Sequence, residues 1–247
     1  MTRTEFRTVG GNDVTAITAA GMREVDRVAV EEVGLELLQM MENAGRALAW
    51  HVRDVRDDAG DVVVAAGNGG NGGGGMACAR HLANRGVAVR VVLDRAPSEL
   101  TGAAAHQARI LDEMSVPITT GTEELAGADL SPVVVDALIG YGIAGEVRPP
   151  ASDYIETLNS RSEPVVSLDV PSGLDATTGD THGTRARPDR TVTLALPKTG
   201  LHAVENDLYL ADIGIPNVVF HRLDIAYDTP FSDGDWVELE RSGPDGQ

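Results

Sequence analysis

From residue 61 onward, short runs of β-branched residues alternate with segments of helical period, and this alternation constrains the fold more than any other feature of the chain. Residues 61–66, 87–94, 133–138, 165–170, 190–196 and 208–213 read as strands, with a further short one near Ile118. Helices are expected between them over residues 76–85, ended by Gly86, over 102–114, and after Pro149 and Pro150. Parallel neighbours need long crossovers, so strands that alternate with helices imply an α/β fold, a mostly parallel sheet covered on both faces. Upstream, Thr18 is placed to cap a helix reaching residue 33 and ended by Gly34. A second helix over residues 36–52 sets Leu37, Leu38, Met41, Ala44, Leu48 and Val52 on one face. Residues 1–247 read as a single domain without repeat or linker, and residues 236–247, rich in Gly, Asp and Ser, as a loose tail.

Charge narrows the partners. With 38 Asp and Glu against 20 Lys and Arg, the formal net charge is −18, which disfavours nucleic acid and anionic membranes, both held by clustered cations. Only one of the basic residues is lysine, Lys198. An acidic, lysine-poor chain suits a salty cytoplasm, where a Debye length of about 3 Å at 1 M salt screens repulsion among surface carboxylates. No membrane span and no signal-peptide pattern are visible, so a cytoplasmic protein is expected. The single cysteine, Cys78, rules out a disulfide scaffold, and the six histidines show no metal-ligand spacing.

Three loops carry the chemistry. Between a predicted strand and helix, seven of the nine residues from Gly67 to Gly75 are glycine. Missing Cβ atoms let backbone approach a ligand, and the N–H groups opening the next helix favour phosphate or pyrophosphate. Gly67, Gly69 and Gly72 also satisfy G-x-G-x-x-G, with Asp94 lying 22 residues beyond Gly72, a weak dinucleotide fingerprint on its own. The second loop runs from Asp136 through Gly140, Tyr141 and Gly142 to Glu146; the third runs from Asp169 through Pro171, Ser172 and Gly173. Each opens with an acid at a strand end, where ligands of open α/β sheets sit. Two such carboxylates facing one pocket suit proton transfer by one and cation binding by the other.

Taken in order, Met41–Arg46, the glycine loop, the D-x-x-x-G-x-G from Asp136 to Gly142, the D-V-P-S-G from Asp169 to Gly173, and Pro197-Lys198 resemble the motifs of the YjeF N-terminal domain family. The resemblance spans residues 17–216. It implies a Rossmann-like three-layer α/β/α sandwich, commonly a homodimer. It also implies an isomerase of nicotinamide nucleotide repair: an NAD(P)H-hydrate epimerase interconverting the R and S forms of NADHX or NADPHX, reduced dinucleotides hydrated at C6. Carried onto this chain, the resemblance gives Gly70, Asn71, Gly72, Gly73 and Gly74, with Gly140, Tyr141, Gly142, Ile143, Ala144, Gly145 and Glu146, as substrate-binding. It makes Asp169 the substrate-contacting acid/base, and it gives Asn71, Asp136 and Ser172 as oxygen ligands of one potassium ion per subunit. A separate dehydratase is expected as pathway partner. Gly70 and Gly74 stand where the family usually has Asn and Asp, and Tyr141 where it usually has Thr. These departures define the alternative, a non-catalytic nucleotide-binding or scaffold module. An ordinary nicotinamide-dependent oxidoreductase reading Asp94 ranks last, for want of a Tyr/Lys or His proton donor.

Overall fold

The computed structural model describes residues 6–56, 60–127, 133–143, 145–232 and 234–241. In chain order it contains β1 (Phe6–Thr8), β2 (Asp13–Val14), α1 (Ala19–Arg27), α2 (Leu37–Val55), β3 (Val62–Ala66) and α3 (Gly70–Ala83). There follow β4 (Val89–Leu93), α4 (Gly102–Glu113), β5 (Ile118–Thr120), α5 (Thr122–Ala126), β6 (Val134–Ala137) and α6 (Ala151–Asn159). The chain continues through β7 (Val165–Leu168), β8 (Arg190–Leu194), β9 (Asp207–Ala211), α7 (Asn217–Arg222) and β10 (Trp236–Arg241). All ten strands join one sheet in the order β2-β1-β10-β9-β8-β7-β6-β3-β4-β5. The strands from β9 to β5 in that order pair in parallel, and β10, β1 and β2 extend one edge antiparallel.

The pleat explains why the central strands read as unbroken apolar runs. In β3, Val62, Val64 and Ala66 point toward α2, α3 and α4, while Val63 and Ala65 meet the residues of α5 and α6. In the segment around β6, Val133, Val135 and Ala137 face the first layer and Val134 the second. Both faces are therefore buried, the condition under which parallel strands lose their apolar–polar alternation. Each fully buried Val contributes about 1.5–3 kcal/mol by leaving water. Asp136 and Ser167 sit at adjacent register positions of β6 and β7, two polar side chains on strands that are otherwise apolar.

Helix ends follow the local chemistry. The Thr18 hydroxyl accepts the Gly21 N–H at 3.1 Å and opens α1. The helix continues as a π-helical turn over Val28–Val33 and stops at Gly34, whose φ of +84° ends it. Helix α2 crosses α3 closely because Gly45 carries no Cβ; one built there would lie 2.5 Å from Ala77 Cβ.

Two expectations need correcting. The segment beginning at residue 236 is not a loose tail over its described part, because Trp236–Arg241 is β10, paired between β9 and β1; residues 242–247 lie outside the described residues. Its polar composition belongs to a half-covered antiparallel strand, a pattern that resembles a tail when only apolar runs are scored. The helix after β3 begins at Gly70, six residues before Met76, so most of the glycine run is helix, not loop. Strands β1 and β2 and helices α5 and α7 were not anticipated; all are six residues or shorter, too short for periodicity to register.

Candidate active site

The sheet places the site. Chain order runs outward from β3 through β4 to β5, then returns to the other side of β3 with β6 and proceeds through β7 to β9. The direction of winding reverses between β3 and β6, and the crevice beyond their carboxyl ends is the usual ligand site of such sheets. The glycine-rich segment and the loop after β6 meet there. Gly67 N–H donates to Ala137 O at 3.2 Å, and a Cβ on Gly67 would sit 2.2 Å from Leu138 O. Gly72 packs so closely on Gly67 that its Cβ would lie 1.8 Å from Gly67 O. Asn68 ties this corner to the start of α4, its Oδ1 accepting the Thr101 N–H at 2.8 Å.

A cavity of about 110 Å³ opens at this crevice. One wall is apolar, from Leu37, Met40, Met41, Ala44, Leu168 and Ile213, and the polar groups facing it are Asp26, Asn71, Tyr141 and Asp169. Leu194, Gly70, Gly74 and Gly140 complete the lining. Of the expected substrate-binding residues, the cavity thus gathers Gly70, Asn71, Gly74, Gly140, Tyr141 and Asp169. It does not reach Gly72 or Gly73, which are spent on packing: Gly72 on Gly67, and Gly73 on Met41, whose Sδ would lie 2.6 Å from a Cβ. Nor does it reach Gly142, Ile143, Gly145 or Glu146. Gly142 O accepts from Arg23 at 3.5 Å, Ile143 packs on the α6 side, and Gly145 turns the chain with a φ of +86°. Glu146 lies beside Gly183, and Ala144 is outside the described residues.

The two strand-end carboxylates do not share the cavity. Asp136 is fully enclosed. Its Oδ1 accepts the Ser172 hydroxyl at 2.5 Å, and its Oδ2 accepts the Ser167 hydroxyl at 2.7 Å and the Ser172 N–H at 2.9 Å. Burial pushes its pKa above the ordinary carboxylate range, and these hydrogen bonds oppose that only in part. Ser172 Oγ also accepts the Ile139 N–H at 2.9 Å, linking the third loop to the second. Next to Ile139, Gly140 carries the Asn71 side chain against it, with Asn71 Cβ 3.3 Å from where a Gly140 Cβ would be. Asn71, Asp136 and Ser172 therefore lie in adjoining loops, Asn71 on the cavity wall and Asp136 and Ser172 behind it.

Asp169 is the carboxylate that faces the cavity. It follows β7 with a φ of +66°, a conformation few non-glycine residues tolerate, and is held by its N–H donating to Val192 O at 2.7 Å. Its Oδ1 accepts the Leu194 N–H at 3.2 Å, the Thr193 hydroxyl at 3.3 Å and the ammonium of Lys198. Lys198 is 1% exposed and also donates to Leu194 O at 2.9 Å. Sequence left the role of this lysine open; the structure makes it the counter-ion of Asp169.

Asp26 was missed. Its carboxylate accepts the Tyr141 hydroxyl, and the Tyr141 ring lies 5.5 Å from Lys198 Nζ. Burial raises the Asp26 pKa, with Tyr141 and Lys198 opposing and the Asp169 charge assisting. Burial and the neighbouring Asp26 likewise push the Tyr141 phenol up. A signal was present in α1: Asp26 lies four residues after Met22 and beside Val25, an acid on the apolar face of the helix. Elsewhere, Asp94 is held by Arg95 at 2.8 and 3.0 Å and does not line the cavity, and burial pushes the Cys78 thiol up.

Comparison with known proteins places this geometry. Over 246 residues the chain is 42% identical to a Dehalogenimonas lykanthroporepellens protein named NAD(P)H-hydrate epimerase, covering 96% of this chain and 98% of that one. It is 39% identical over 228 residues to the bifunctional NAD(P)H-hydrate repair enzyme Nnr of Salinibacter ruber, covering 83% of this chain and 42% of the longer protein. The crystal structure of yeast ynu0 superposes with a TM-score of 0.80 at 25% identity, over 90% of this chain and 99% of that one, which establishes the three-layer α/β fold. Residues 37–200, which carry α2, the switch-point loops and the Asp169–Lys198 pair, match the YjeF-related protein N-terminus, and the chain belongs to that family.

Proposed function

We propose that the protein is an NAD(P)H-hydrate epimerase, acting on the R and S forms of a reduced nicotinamide dinucleotide hydrated at C6. The observation that carries this reading is the Asp169–Lys198 pair at the switch-point cavity, in a chain similar over nearly its whole length to a protein named for that activity. The apolar wall of Leu37, Met40, Met41 and Leu168 suits the nicotinamide ring. Gly69 and Gly70, with nothing within 4 Å of their Cβ positions, and the N–H groups opening α3 suit the pyrophosphate.

Epimerisation at C6 needs the hydroxyl to leave and water to return on the other face. The ring nitrogen lone pair expels the hydroxyl as it gains a proton, and the resulting C6=N1 cation is attacked by water that loses one. Asp169, shielded from water and oriented by Lys198, Thr193 and Leu194, is the group we assign to proton transfer at the ring. Shielding also keeps bulk water from capturing the cation on either face without control.

A monovalent cation fits the adjoining loops of Asn71, Asp136 and Ser172. Asp136 is a fully buried carboxylate that makes no ion pair among the described residues, and Asn71 lines the neighbouring cavity wall with an amide oxygen to offer. The oxygen-only set of carboxylate, hydroxyl and amide from Asp136, Ser172 and Asn71 suits a hard cation, for which we name potassium. Bound there, potassium supplies positive charge beside the loops that receive an anionic substrate. The potassium reading accords with the acidic, lysine-poor composition, which suits a salt-adapted cytoplasm. Assembly as a homodimer and cooperation with a separate dehydratase rest on the family resemblance. Among the described residues, no helix is long and apolar enough to cross a membrane.

The test is direct. Protein in molar KCl is added to purified (R)-NADHX and the S form is followed chromatographically against an enzyme-free control. Wild type accelerates exchange, and Asp169→Asn lowers the rate by about 10²–10⁴-fold, the usual contribution of a positioned acid/base. A wild-type rate equal to the control, with the nucleotide still bound, would make this chain the non-catalytic module.

A further inference from the structure

Two carboxylates, Asp26 and Asp169, border the cavity, and one ammonium, that of Lys198, lies buried against Asp169. Asp169 has Lys198 against it, whereas Asp26, half-buried on α1, accepts the Tyr141 hydroxyl and feels the Lys198 charge without touching it. The other charged groups around Asp26 are accounted for. Arg23 approaches the Tyr141 ring at 6.0 Å and spends a donor on Gly142 O, and Arg27 is engaged by Glu24, Glu31 and Glu32. Resting on the epimerase reading, we propose that the reaction is divided between two proton carriers, with Asp169 as the base and Tyr141, backed by Asp26, as the acid.

Both Tyr141 and Asp26 border the cavity, and the phenol O–H is hydrogen-bonded to the second carboxylate, so a proton can pass between them at the cavity wall. When Asp26 carries a proton, its O–H donates to the Tyr141 oxygen and frees the phenol O–H to point at the substrate. The ring nitrogen lone pair expels the C6 hydroxyl, which takes the Tyr141 proton and departs as water, and Tyr141 recovers a proton from Asp26. Water then adds to the opposite face of the C6=N1 cation and gives its proton to Asp169. One proton is given and one received, so charge balances over the turnover. Exchange with solvent at the cavity mouth, or a turnover in the reverse sense, resets the pair. Environments that separate two carboxylates in this way assign acid and base roles. The pKa of Asp26, raised by burial, agrees in sign: its proton persists above the ordinary carboxylate range and is lost as pH rises through the shifted value.

Asp26 acts through Tyr141 and is a positioning residue, so its test must separate chemistry from folding. Steady-state epimerisation is measured from pH 5 to 9 for wild type, Asp26→Asn and Tyr141→Phe, with melting temperatures alongside. Wild-type kcat falls on the alkaline side. Both variants lose about 100-fold or more in kcat with KM within about threefold, and Asp26→Asn loses the alkaline fall. Tyr141→Phe keeps the ring and its packing, so it remains decisive if Asp26→Asn is poorly folded. Either variant retaining kcat within threefold of wild type, or Asp26→Asn keeping the alkaline fall, overturns the division of roles while leaving the epimerase intact. A wild type that only matches the enzyme-free rate overturns the epimerase reading instead.

Discussion

Asp136 and Asp169 look alike in sequence, each an acid at the carboxyl end of a parallel strand, followed by a glycine-containing turn, and they end neighbouring strands. Their surroundings differ in kind. Asp136 is enclosed by two serine hydroxyls and backbone N–H groups and makes no ion pair among the described residues. Asp169 has a lysine against one oxygen and opens on the cavity. The pleat produces the difference: Asp136 lies within β6, on the face turned to α6, whereas Asp169 is one residue past β7 and turned by its positive φ. A strand-end acid is therefore not one kind of site. The residue on the sheet is enclosed by hydrogen-bond donors, and the residue just off it opens on the cavity.

The contrast breaks most severely at Lys198. Lys198→Met leaves Asp169 buried without its counter-charge and lowers unfolding free energy by about 3–5 kcal/mol in denaturant titration. Adding Asp169→Asn recovers much of that loss, because the uncompensated charge disappears; a double variant no more stable than Lys198→Met would mean the pair contributes packing alone. A smaller effect sharpens the other half. Potassium binding raises the melting temperature of wild type, equivalent to about 2.7 kcal/mol at a hundredfold excess over Kd, and choline chloride at equal ionic strength does not. In Asp136→Asn the potassium-specific part vanishes; its persistence would move the cation elsewhere. The smallest effect is at Ser167→Ala, which removes one hydroxyl from Asp136 and costs about 0.5–1.5 kcal/mol, less in KCl than in choline chloride if the cation takes up the released oxygen.

How much of this was legible follows from the same physics. The alternation after residue 61 was readable because parallel strands buried on both faces are continuous apolar runs, and β10 was not, because it is antiparallel and half covered. Asp136 and Asp169 were found because an acid ending an apolar run stands out. Asp26 was overlooked because its helix carries several acids, and only its position on the apolar face separates it from Glu24 and Glu31. Ser167, a hydroxyl inside the run V-V-S-L, became meaningful once β6 and β7 were known to be neighbours in register with Asp136. Of the glycines expected to bind substrate, Gly70 and Gly74 border the cavity, while Gly72 and Gly73, like Gly67 before them, are also required by backbone and side-chain crowding, which sequence does not reveal.

Lys198 is the only lysine of the chain, and it lies at 1% exposure beneath Tyr141 and against Asp169. The native surface therefore presents its permanent side-chain positive charge as guanidinium, with no ε-amine available for acylation or imine formation. The one primary side-chain amine is sequestered where the site needs it, so covalent chemistry at that nitrogen reports on the opening of the site and not on the outside of the protein.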